Sequence, residues 1–141
     1  MSKIAVVCWT GTGNTEEMAN AVAQGAEAAG AEAKAVLVSD FSAGEVGDYD
    51  AVAFGCPAMG AEELESDEFE PVWEACKGVL GQKPVALFGS YGWGGGEWMD
   101  SWKEDAEAAG LKVVDVLIAN EAPDDEAVEA CGALGRQLAE A

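Results

Sequence analysis

The chain contains no histidine, which removes the commonest general base and transition-metal ligand, and with them a His-dependent catalytic triad or an ordinary zinc centre. Cations are scarce as well. Seven Lys and Arg against 27 Asp and Glu leave a formal charge of -20, so nucleic acid and anionic membrane surfaces would be repelled and protein partners should be basic. The four cysteines, Cys8, Cys56, Cys76 and Cys131, include no C-x-x-C pair, which argues against a thiolate iron–sulfur site or a redox dithiol. Reduced, buried thiols are expected instead. No apolar run approaches the length that crosses a bilayer, and the stretch Ile4 to Trp9 is too short for a signal-peptide core. A cytoplasmic protein is expected.

What is present reads as one domain over residues 1–141, half of them apolar and enough for a single sizeable core. Lys3 to Cys8 is a short β-branched run that ends in the turn-rich stretch Trp9 to Asn14, the signature of a buried parallel strand followed by a loop. From Thr15, the residues Met18, Ala19, Val22, Ala26 and Ala29 recur at helical spacing up to Gly30. The alternation then repeats. Ala33 to Val38, Ala51 to Gly55, Val85 to Gly89 and Lys112 to Ile118 read as strands; Glu68 to Cys76, Glu97 to Ala109 and Asp124 to Glu140 read as helices. The stretch between the second and third strands is rich in Gly and Asp, so its helix should be brief or irregular. Trp98, Trp102, Ala106 and Ala109 share one helix face, as do Val128, Cys131, Leu134 and Leu138. The expected fold is α/β: a single doubly wound domain, with a five-stranded parallel sheet of order 2-1-3-4-5 and helices on both faces.

In such a sheet a ligand sits beyond the carboxyl ends of the strands where their order reverses, here between the first and third. Three unusual loops fall there. Thr10, Gly11, Thr12, Gly13, Asn14 and Thr15 supply hydroxyls, an amide and close backbone approach at a helix N-terminus, which suits a phosphate. A plain glycine-rich turn with a capping Thr or Asn fits that loop equally well. No Lys follows it as in a nucleotide triphosphatase loop, and Glu16 stands where a dinucleotide loop has its third glycine. The second loop, CPAMGAEELE, runs from Cys56 to Glu65, and the third, SYGWGGGEW, from Ser90 to Trp98. Trp93 lies among glycines and off the helical pattern, free to cover a planar ligand, or else the edge of the sheet. Met59 is placed for the same work, or for filling core.

These three segments together resemble the short-chain flavodoxins, over essentially the whole chain. The resemblance implies one bound flavin mononucleotide (FMN), with Thr10, Gly11, Thr12, Gly13, Asn14 and Thr15 on its phosphate. Met59 and Trp93 would flank the isoalloxazine ring, within the loop that begins Pro57, Ala58. Gly60 would face the ring nitrogen N5 and Glu62 would accept the N3 proton, while Ser90, Tyr91 and Gly92 would touch the ribityl chain or pyrimidine edge. Cys8 and Ala61 depart from the family pattern without removing a named flavin contact.

The function so implied is a low-potential carrier of single electrons, working through a stabilised neutral semiquinone. It would be a monomer, with basic redox proteins as partners and no nucleic acid, membrane or metal. Glu62, Glu63, Glu65, Asp67, Glu68 and Glu70, with Glu97 and Asp100, would form an acidic docking rim. One rival is an FMN-dependent NAD(P)H:quinone oxidoreductase of the same fold, whose second substrate Trp93 would obstruct. Another is a phosphoacceptor receiver domain, which needs paired acids after the first strand and a Lys after the fifth. Cys8 and Trp9, and Ala119 and Asn120, stand in those places.

Overall fold

The computed structural model describes all residues except 1, 10, 12, 60–63 and 93–95. Strand β1 (Lys3–Cys8) shows why its sequence is apolar from Ile4 onward. Ile4, Val6 and Cys8 enter one core while Ala5 and Val7 enter another on the opposite side of the sheet, so after the exposed Lys3 no position faces water. It lies between β2 (Glu32–Leu37) and β3 (Ala51–Gly55), parallel to both, and β4 (Pro84–Tyr91) and β5 (Lys112–Asn120) complete the order β2-β1-β3-β4-β5. The expected topology is the observed one.

Helices α1 (Asn14–Ala28) and α4 (Asp125–Glu140) cover one face through Met18, Val22, Ala26, Cys131, Leu134 and Leu138. The backbones approach closely. A Cβ built on Gly135 would stand 1.9 Å from the Val22 carbonyl oxygen, so this contact requires glycine. Helices α2 (Phe69–Lys77) and α3 (Glu97–Ala108) cover the other face. There Phe54 meets Trp73 edge-on at 5.1 Å and Phe69 meets Trp102 at 5.4 Å, each such pair adding about 0.5–1.5 kcal/mol to the burial itself. Asp105 ties these helices together, accepting from Trp73 Nε1–H at 2.9 Å and pairing with Lys77 at 2.8 Å.

Two helix-face expectations are corrected, and the expected brief or irregular helix between the second and third strands is observed. Ala29 and Ala109 are exposed because they are C-cap residues, one position past the helices whose buried stripes end at Ala26 and Ala106. Val128 is 36% exposed, since full burial on α4 begins a turn later at Cys131. Between β2 and β3 there are two 3-10 turns, Val38–Asp40 and Ala43–Asp48, the second started by a Ser42–Glu45 capping box; its two glycines and two acids are poor material for an α-helix. Among the described residues no helix is long and apolar enough to cross a membrane.

Candidate functional site

β2 lies on one side of β1 and β3 on the other, so the connections leaving β1 and β3 diverge and open a cleft at the carboxyl ends. Its volume is about 410 Å³, within the roughly 300–1,000 Å³ common for ligand pockets. Gly11 and Asn14 line it from the first loop, Pro57, Ala58 and Met59 from the second, and Ser90, Tyr91 and Gly92 from the third. All eight were expected there. Trp9, the first residue of the loop expected to line the cleft, does so, and Glu121 also lines it and was not expected. Thr10, Thr12, Gly60, Glu62 and Trp93 lie outside the described residues.

Thr15 and Gly13 stand behind this lining. Thr15 is buried, its hydroxyl 3.2 Å from that of Ser90, which ties the start of α1 to the end of β4. Gly13 is the N-cap of α1 at φ 96°, and no side chain caps the helix among the described residues. A left-handed N-cap is cheap only for glycine, and a helix N-terminus of this kind suits an anion. No Lys or Arg lines the cleft among the described residues. An anion held there depends on oriented N–H groups and the helix dipole. A mononucleotide's phosphate fits this donor set, and the half-buried Trp9, Met59 and Tyr91 fit a flat ring beside it.

The loops are fixed to the sheet and to one another. Trp9 N–H donates to the Gly55 carbonyl at 3.0 Å and Ala58 N–H to that of Ser90 at 3.0 Å, carrying the ladder past the end of β3. Ser90 and Tyr91 are therefore strand residues paired with Ala119 and Asn120, where the third loop was expected to begin. Just beyond, Glu121 takes φ 54° while its N–H donates to the Tyr91 carbonyl at 2.7 Å. A left-handed non-glycine residue at a cleft is a mark of a functional edge, one that sequence alone does not display. Trp9 Nε1–H reaches Glu68 at 3.2 Å.

The acidic rim needs one correction. Glu65 is buried, and its carboxylate accepts from the N–H groups of Asp67, Glu68 and Phe69 at 2.7 to 2.9 Å. It caps α2 and belongs to no docking surface. Asp67, Glu68, Glu70, Glu97 and Asp100 remain exposed.

Burial alone would raise the Glu65 carboxyl, and the three backbone donors outweigh it, so the group is held below its ordinary range. The sign follows directly. The stability it contributes is fully present above the unfolded value of about 4.3 and is lost as pH falls through the lower folded value. The melting-temperature gap between wild type and Glu65→Gln should be widest near neutral pH and close at acid pH. A gap independent of pH would refute the assignment. The thiols behave oppositely: burial pushes Cys8 and Cys56 up to about 12, so neither is a thiolate at neutral pH.

Comparison with known proteins agrees with this geometry. A family model described as flavodoxin matches residues 6–134. The flavodoxin of Megasphaera elsdenii is 45% identical over 138 residues, covering 98% of this chain and 99% of that protein. That of Clostridium beijerinckii is 41% identical over 134 residues, covering 95% and 97%. The solution structure of the two-electron reduced M. elsdenii flavodoxin superposes with a TM-score of 0.91 at 46% identity, over 98% of this chain and 99% of that one.

Proposed function

As a member of the flavodoxin family, this chain is an FMN-binding electron carrier that serves redox partner proteins and is not an enzyme, and we propose that it carries single electrons through one FMN seated in the cleft. The observation that carries the proposal is the cleft itself. It joins three loops, the α1 N-terminus at a left-handed Gly13 and an apolar lining at the point where strand order reverses. Residues 1–141 act as one cytoplasmic, monomeric domain. The rival quinone oxidoreductase falls with the family assignment.

Thr10, Gly11, Thr12, Gly13, Asn14 and Thr15 would hold the phosphate, and Met59 and Trp93 would flank the ring, within the loop that begins Pro57, Ala58. Ser90, Tyr91 and Gly92 hold the ribityl chain and pyrimidine edge, and Glu62 accepts the N3 proton. FMN supplies one-electron and two-electron chemistry; the chain decides which is favoured. Gly60 offers a backbone carbonyl to the proton added at N5, because glycine reaches either turn conformation at little cost. Such a hydrogen bond, about 0.5–1.5 kcal/mol net, would help hold a proton at N5. A second electron is opposed by a protein of charge -20, with no cation lining the cleft among the described residues. A low second potential follows.

Partners are basic and dock on the exposed acids that follow the second and third loops. Charge of one sign around a cofactor edge raises encounter rates and is screened by salt. Electron transfer to a basic haem protein should therefore slow by about tenfold or more as ionic strength rises from low to molar. Asp67→Asn/Glu70→Gln should slow it at low salt, and Glu126→Gln/Glu129→Gln on α4 should not. Equal losses in both pairs, or indifference to salt, would reduce the rim to solubility charge.

A further inference from the structure

The segment 57–64 includes Met59 and, on the FMN reading above, the flavin contacts Gly60 and Glu62. Both of its ends meet at Cys56. On one side, Trp98 Nε1–H donates to the Cys56 carbonyl at 3.2 Å and Cys56 N–H donates to that of Phe88 at 3.1 Å. On the other, Glu65 N–H donates to Cys56 Sγ at 3.4 Å. Every hydrogen-bonding group of Glu65 is engaged, since its carbonyl also accepts from Glu70 N–H at 2.9 Å and its carboxylate takes three amides.

We propose that Glu65 is a positioning residue for FMN: by tying the chain at Glu65 to Cys56 and to the first turn of α2, it holds the stretch Pro57 to Met59 in its place in the cleft lining without touching the flavin. An ordinary cap is a short Ser, Thr, Asp or Asn at the helix boundary. Here the boundary residue Glu68 makes no side-chain cap, and the work falls to a 6%-exposed residue three positions earlier, at the foot of the loop. Without the carboxylate, three amides lose their acceptor. The end of the loop is then held by the bond to sulfur and the bond from Glu70. Arrangements of Pro57 to Met59 that cannot receive the ring become populated, and affinity falls by the fraction of time spent in them.

The proposal rests on the FMN reading, and its test separates the two. Wild type, Glu65→Gln, Glu65→Ala and Leu138→Ala are compared. Leu138 is buried on α4 and matches the loss of stability with no part in the cleft. Three quantities are measured: melting temperature, FMN dissociation constant by titration of apoprotein, and hydrogen exchange in apoprotein at the Ala58 amide, at the other end of the loop. Glu65→Ala should raise the dissociation constant about tenfold and speed Ala58 exchange by a similar factor. Glu65→Gln, which keeps one acceptor oxygen but turns an amide on Asp67, should fall between and decides the matter where the alanine variant does not fold. Leu138→Ala should lower melting while leaving affinity and Ala58 exchange within about twofold. Glu65 variants indistinguishable from Leu138→Ala in affinity and exchange would overturn the proposal and leave a helix cap. A wild-type chain that does not bind FMN would overturn both readings, and the failure would show before any substitution.

Discussion

Gly135→Ala should lower the melting temperature by roughly 5–10 °C, taking about 3 °C per kcal/mol for a domain of this size. The added methyl would stand 1.9 Å from the Val22 carbonyl oxygen and 2.9 Å from the Ala26 nitrogen. Both are backbone atoms of α1, with no flexible tip to turn aside, so α1 and α4 must separate along the contact that joins Ala26 to Leu134 and Leu138. Overpacking of this kind costs about 1–3 kcal/mol or more, and a rigid backbone neighbour puts it at or beyond the upper end. Helix propensity returns only about 1 kcal/mol, which leaves a net loss of at least about 2. Gly132→Ala supplies the opposite sign. Its methyl meets nothing nearer than the Ala21 carbonyl at 4.0 Å, so the propensity gain stands and melting should hold or rise. Thermal melts of both variants check the pair; equal losses would mean that the close approach of the helices is not the cause.

Riboflavin, which lacks the phosphate, should bind the apoprotein at least about 100-fold more weakly than FMN. The first turn of α1 begins at Gly13 with no side-chain cap among the described residues, and bonds from N–H groups to a charged acceptor contribute about 1.5–3 kcal/mol each. Two of them already exceed the roughly 2.8 kcal/mol that a 100-fold ratio requires. FAD should also bind poorly, because the loop offers one phosphate its donors and has Glu16 where a pyrophosphate-binding loop carries glycine. Fluorescence titration with the three flavins decides. Equal affinity for riboflavin or FAD would remove the phosphate from the account.

The strands were legible because burial on both faces leaves an unbroken apolar run: β1 and β3 begin and end at the residues that the pattern predicts. β4 and β5 run two residues further than their apolar cores suggest, because Ser90–Ala119 and Tyr91–Asn120 continue the pairing past the apolar run. Eight of the cleft's residues were legible because glycine, hydroxyl and proline clustered at loops where strand order reverses. Trp9 was legible as the head of the first loop, though not singled out as a ligand contact. Glu121 owes its place to a left-handed backbone that no composition announces. Glu65 read as one more surface acid in a chain of 27, since capping by a buried Glu depends on a fold of the chain from 65 to 69 that acidic spacing does not encode.

Visible spectra of the FMN-loaded protein during stepwise anaerobic reduction test the account most directly. A cleft that favours a proton at N5 and opposes further negative charge should hold the flavin for the first electron equivalent as a blue, neutral, singly reduced species, and bleach it only with the second. Direct passage from oxidised to fully reduced flavin, with no blue species between, would contradict a one-electron carrier.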